Sequence, residues 1–106
     1  MRVLVVEDRA RMARLLERAL RREGHSVVLA LDGEQALSCG RAPDLDVILL
    51  DVAIPLIDGF TVIRSLRAER LTTPTIMVTE REDIPLSYLR GNATRVRVKV
   101  IGDMGF

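Results

Sequence analysis

Arg2-Val3-Leu4-Val5-Val6-Glu7-Asp8 is the stretch that decides how this chain folds. A strand with one wet face alternates apolar and polar residues. A short continuous apolar run belongs instead to a strand covered on both faces, as in a parallel sheet flanked by helices. Here the run stops on two carboxylates. Residues 26–30 (SVVLA), 46–50 (DVILL) and 75–79 (TIMVT) have the same form. Helical spacing fills the gaps between these strands. Over 9–23, Met12, Leu16 and Leu20 recur at i, i+4 and i+8, while Arg11, Arg14, Arg18 and Arg22 take another face, and Gly24 is a stop signal. Residues 33–40 make a short helix closed by Gly40, with Pro43 soon after. Residues 59–69 carry Phe60, Ile63 and Leu66 with Arg64 and Arg67 as a third helix, until Thr72-Thr73-Pro74 breaks it. A weaker helical pattern covers 84–90, with Leu86 and Leu89 inward, before the turn at Gly91-Asn92. Residues 95–101 alternate strictly between Arg95, Arg97, Lys99 and Val96, Val98, Val100, which predicts a half-exposed strand, and 102–106 read as a frayed end. Strands alternating with helices on short links predict an α/β fold, an open parallel sheet with helices on both faces.

Composition sets the outer limits. A chain of 106 residues is one domain, and 48% hydrophobic against 29% charged residues excludes a disordered tail. Sixteen basic residues oppose fifteen acidic ones for a net charge of +1, which gives no electrostatic reason to expect nucleic acid or a membrane surface as partner. No apolar run approaches the ~20 residues of a membrane span, and the first strand meets Glu7-Asp8 too early for a secretory signal. The single Cys39 can make neither an internal disulfide nor a thiolate zinc cage. The expected setting is the cytoplasm.

In an open parallel sheet the site lies beyond the carboxyl ends of the strands, near the point where strand order reverses. That edge carries Glu7 and Asp8 after the first strand, Asp51 after the third and Thr79 at the end of the fourth. Taken singly, an acidic pair after a strand serves as a helix cap in a solvated loop, and a lone Asp serves as a turn residue. Their convergence on one edge points to chemistry. Packed carboxylates repel unless a cation joins them, and an all-oxygen set with room for water suits Mg²⁺. One of the three can instead be a nucleophile, since aspartate forms an acyl phosphate, and Thr79 offers a hydroxyl to a phosphoryl oxygen.

The stretches VLVVED (3–8), GHSVVLALDGEQAL (24–37), DVILLDVAIPLIDGF (46–60) and LTTPTIMVTERED (71–83) resemble, in order and spacing, the receiver domain of two-component response regulators. The branch resembled is the one that carries a winged-helix DNA-binding output domain. The resemblance covers residues 1–83 of a receiver spanning 1–106, with 84–106 atypical. It implies a flavodoxin-like sheet of strand order 2-1-3-4-5 and a function as a signalling phosphoacceptor rather than an enzyme. Asp51 would accept a phosphoryl group from a sensor histidine kinase. Asp8 would bind Mg²⁺ directly, Glu7 would assist through water, and the backbone carbonyl of Ala53 would join the metal shell. Thr79 would bond the phosphoryl oxygen, and Pro55 with Asp58-Gly59 would shape the loop after the acceptor. The branch regulates transcription, and it dimerises through its fourth helix and fifth strand, so a homodimer is implied.

The chain also departs from the family. The family's Lys-Pro pair should fall at 101, where this sequence has Ile101. Lys99, the only lysine, stands two positions early. A two-residue deletion upstream brings Lys99 into the site as a substitute; the rival reading leaves it on a solvated face with Arg95 and Arg97. The family's Gly-Ala-Asp-Asp stretch and the aromatic residue of the fifth strand are absent, and Tyr88 lies too far upstream to replace the latter. Glu80 stands where the family prefers a small residue, and the final helix is missing. These departures touch switching more than metal binding, so a degenerate, non-switching receiver that acts as a protein-binding module is the alternative. A hydrolase of the aspartyl-phosphate type ranks last, because the chain has no cap domain to select a substrate. The basic helix of 9–23 reads as a solvated face, with Arg11 and Arg14 as candidates for contacting a kinase. His25, Cys39, Met12 and Met77 read as structural.

Overall fold

A computed structural model of the chain describes residues 1–51, 56–79 and 96–100. The elements run β1 (Arg2–Val6), α1 (Ala10–Arg22), β2 (Ser26–Ala30), α2 (Gly33–Gly40), β3 (Val47–Asp51), α3 (Gly59–Ala68), β4 (Thr75–Thr79) and β5 (Val96–Val100). The strands form one sheet in the order β2-β1-β3-β4-β5, every neighbouring pair parallel. This is the flavodoxin-like α/β fold expected from the sequence. The expected helix at 84–90 and the frayed end at 102–106 lie outside the described residues, as does the exposure of the alternating side chains of β5.

Burial of β1 explains its continuous apolar run. Val3 and Val5 turn to one face, where Val27 and the partly buried Leu16 and Leu20 of α1 meet them. Leu4 and Val6 turn to the other, in a core with Ile48, Leu50 and Met77 of the sheet and Ala36, Phe60, Val62, Ile63 and Leu66 of α2 and α3. Each of the four strand residues Val3–Val6 is at most 2% exposed, so β1 has no wet face to mark with polar residues. Met12 and Met77 are core residues, and Cys39 packs at its margin.

The helix ends follow local chemistry. Gly24, at φ +87°, closes α1 in a Schellman arrangement: its N–H donates to the Arg21 carbonyl and that of His25 to Leu20. Asp32 and Asp58 cap α2 and α3 by accepting the N–H groups of Gln35 and Thr61 at 2.8 and 2.9 Å. Beyond α3, the Arg67 guanidinium turns back on the chain. Its Nη1 donates to the Leu71 carbonyl at 2.7 Å and its Nη2 to the Thr73 carbonyl at 2.6 Å, so one side chain holds the loop that leads into β4. Burial pulls this guanidinium down from its ordinary value. Arg41 and Glu69 tie the end of α2 to the end of α3 through two hydrogen bonds at 2.8 and 3.0 Å, and this partnership holds the Glu69 carboxyl below its usual range.

Several boundaries differ from the sequence reading by a single residue. The third strand occupies Val47–Asp51 rather than 46–50; Asp46, just before it, is tied to the start of β1, its N–H donating to the Arg2 carbonyl at 2.9 Å while its Oδ2 accepts the Arg2 N–H at 2.7 Å. Asp51 is therefore the last residue of β3, in register with Val78 of β4, rather than the first residue beyond the strand. The first helix starts at Ala10, leaving Arg9 at the N-cap.

Candidate functional site

The acidic residues stand where the strand order turns. With β1 lying between β2 and β3, the residues just past β1 neighbour the end of β3. Glu7 extends β1 by one more contact, its N–H donating to the Ala30 carbonyl of β2 at 3.0 Å. This fixes where the chain leaves the sheet and turns Asp8 out. Glu7, Asp8 and Asp51 each offer a carboxylate oxygen, and these atoms lie within 4.8 Å of one another. Glu7 is buried, Asp8 exposed and Asp51 half-buried, so the group forms a short gradient from the core to water.

Three carboxylates so close repel one another, and a cation among them offsets that repulsion. The donor set fits a hard divalent ion: all oxygens, few protein ligands, and an exposed side on which water completes the shell. Asp8 and Asp51 are the accessible carboxylates of the three. Glu7 is differently placed from the solvated loop residue that an acidic pair suggests. It is 3% exposed, and its Oε1 accepts two hydrogen bonds from the same residue, the Arg9 backbone N–H at 3.0 Å and the Arg9 Nε at 2.9 Å. Sequence reasoning assigned Arg9 only to a basic helix face. The available signal was an arginine at a helix N-cap directly after two acids, a place where Ser, Thr, Asp or Asn is preferred.

The remaining expected site residues are placed to different degrees. Thr79 ends β4, one residue beyond the partner of Asp51, and is in register with Val100 of β5. Lys99 is in register with Val78, the strand partner of Asp51, so Asp51 and Lys99 stand level across β3, β4 and β5. At ~4.8 Å per strand their backbones are about 10 Å apart. Ala53, Pro55, Glu80 and Ile101 lie outside the described residues. Asp58 and Gly59 begin α3 as expected, and Leu56 just before them has a φ of 70°. A Cβ added to Gly33 at the start of α2 would collide with the Ile57 carbonyl, so α2 and the residues just before α3 meet in close contact. On the outward side of α1, Ala10, Arg11, Arg14, Leu15 and Arg18 form an open, largely exposed surface.

Comparison with known proteins agrees with this geometry. The family model described as "Response regulator receiver domain" matches residues 3–99. The chain belongs to the response regulator receiver domain family. Among curated relatives, the transcriptional regulatory protein TcrA of Mycobacterium tuberculosis is 48% identical over 80 residues, covering 76% of this chain and 32% of TcrA. The alkaline phosphatase synthesis transcriptional regulatory protein PhoP of Bacillus subtilis is 38% identical over 82 residues, covering 77% of this chain and 34% of PhoP. This receiver therefore spans about a third of the length of these relatives. Among solved structures, the response regulator TrrA of Thermotoga maritima in complex with Mg²⁺-BeF superposes with a TM-score of 0.80 at 28% identity, covering 94% of this receiver and 87% of that chain. The receiver domain of the sensor histidine kinase PA1611 of Pseudomonas aeruginosa, with magnesium in its active-site cleft, gives 0.79 at 28% identity, covering 92% and 84%. Among the described residues, no helix is long and apolar enough to cross a membrane.

Proposed function

We propose that this receiver domain is a Mg²⁺-dependent phosphoacceptor for a sensor histidine kinase, with Asp51 as the acceptor. The observation that carries the reading is the convergence of the Glu7, Asp8 and Asp51 carboxylates within 4.8 Å at the switch point of the sheet. In the proposed step an Asp51 carboxylate oxygen attacks the phosphorus of a phosphohistidine, the P–N bond breaks, and the imidazole leaves with its electron pair. Phosphoryl transfer asks the protein chiefly for position and charge neutralisation. Asp8 and Asp51 would hold Mg²⁺, with Glu7 assisting through water and the Ala53 carbonyl completing the protein's share. When bound, the ion supplies neutralisation of the phosphoryl oxygens. Thr79 receives a phosphoryl oxygen by hydrogen bond. Lys99, the only lysine of the chain, supplies the ammonium that the family places two residues further on; its register level with Asp51 across β4 supports this over the solvated reading. Residues 1–106 form one receiver unit, working in the cytoplasm and pairing as a homodimer. The names of the curated relatives support transcription as the output.

The test is intact mass after incubation with Mg²⁺ and acetyl phosphate. One added phosphoryl group is expected, lost in Asp51→Ala and formed at least about tenfold more slowly in Lys99→Ala, the change that ~1.4 kcal/mol of transition-state stabilisation produces. No addition to a folded protein would replace this reading with that of a non-switching binding module. An unchanged rate in Lys99→Ala would return that lysine to the solvated face.

A further inference from the structure

Arg9 occupies a position that helix chemistry argues against. It is the N-cap of α1, yet its side chain makes no capping hydrogen bond, and it adds a positive charge where the helix dipole is already positive. No acidic residue stands in the first turn of the helix to offset it. The Arg9 side chain contacts Glu7. Its Nε lies 2.9 Å from Glu7 Oε1, the oxygen that also takes the Arg9 backbone N–H at 3.0 Å. The Glu7 side chain is 4% exposed while that of Arg9 is 51% exposed, so a reachable guanidinium is fastened to the most buried carboxylate of the acidic edge. Local rules broken at one residue are explained by a neighbouring demand. Here that demand is three carboxylates within 4.8 Å.

We propose that Arg9 is a resident counter-ion of the acidic edge, which stabilises the metal-free site and competes electrostatically with the divalent cation. The inference rests on reading the edge as a Mg²⁺ site. Arg9 is a positioning residue: it holds one oxygen of Glu7. Its charge offsets carboxylate repulsion before a metal arrives, and the same charge opposes the arriving ion. The receiver then binds its cation more weakly than its acidic trio alone would, and loses less stability when the cation is removed.

The test measures Mn²⁺ binding to the full chain by electron paramagnetic resonance of the free ion, beside thermal unfolding with and without the metal. Arg9→Gln removes the charge and leaves the backbone N–H bond to Glu7. It is expected to bind Mn²⁺ at least about threefold more tightly than the unaltered chain. Its metal-free form should melt lower, so that saturation with Mn²⁺ raises its melting temperature by more. Arg9→Lys keeps the charge and should stay within about twofold of the original affinity. Arg22→Gln, at the far end of α1, controls for net charge and should change neither quantity. Equal or weaker binding by Arg9→Gln overturns the competition, and so does equal tightening by Arg22→Gln. Absence of Mn²⁺ binding by every form, the unaltered chain included, overturns the metal reading beneath it, an outcome distinct from the other two.

Discussion

Leu56 has a φ of 70°, in the left-handed region, and its side chain is 72% exposed. A leucine there carries a steric cost of about 1–2 kcal/mol with little burial to offset it. Glycine would relieve that cost and lose about 0.5–1 kcal/mol through the freedom it adds to the unfolded chain. Leu56→Gly is therefore expected to stabilise the protein slightly, by about 0.5 kcal/mol. Leu56→Val, with a branched Cβ, should destabilise it by about 1 kcal/mol or more. Urea unfolding of the three forms checks the order Gly, Leu, Val; a glycine form less stable than the original would show that the exposed leucine makes contacts that matter. Position 56 lies between β3 and α3, two residues before the Asp58 cap.

At the scale of the elements, Arg67 binds the end of α3 to the strand that follows. Its two Nη groups satisfy the carbonyls of Leu71 and Thr73, a fork that an ammonium cannot reproduce. Arg67→Lys is expected to cost about 1–3 kcal/mol, the range for leaving part-buried acceptors unmade, seen as a lower denaturant midpoint at unchanged slope. A change within error would mean that water replaces the fork freely. The elements themselves were largely legible in the sequence. Five-residue apolar runs gave β1, β2 and β4 their limits, and Gly24 and Gly40 gave α1 and α2 their ends, because these signals are local. The third strand begins one residue later than its apolar pattern suggests, after an Asp46 whose side chain accepts the N–H of Arg2, forty-four positions away, a contact that no local pattern carries. The convergence of Glu7, Asp8 and Asp51 was legible through the rule that places sites beyond the strand ends. The burial of Glu7 was not, since it depends on the bond to Ala30 of another strand. The contact with Arg9 was not either, since helical spacing assigns Arg9 to a face and says nothing of its cap.

Over the whole molecule, the acidic edge and the outward side of α1 are neighbours, because α1 begins two residues after Asp8. Arg11, Arg14 and Arg18 lie on that surface with Leu15 between them, a mixture of charge and apolar surface suited to an acidic, amphipathic helix on a kinase. Arg14→Glu is expected to slow transfer from a cognate phosphorylated kinase about tenfold or more while acetyl phosphate still labels Asp51 at its original rate. Equal slowing with both donors would place the defect in the acceptor site, and no slowing with either would leave α1 as a solvated face.

The central place of β1 has one more consequence. Its residues Val3–Val6 are buried on both faces and hydrogen-bonded on both edges, to β2 and to β3. Amides in such a strand exchange with solvent only through global opening, whereas loops and helix ends exchange through local fraying. Glu7 and Asp8 are mounted directly on that strand and Asp51 on its neighbour. Whatever the acidic edge holds is therefore gripped by the slowest-opening part of the domain, and its walls last as long as the fold does.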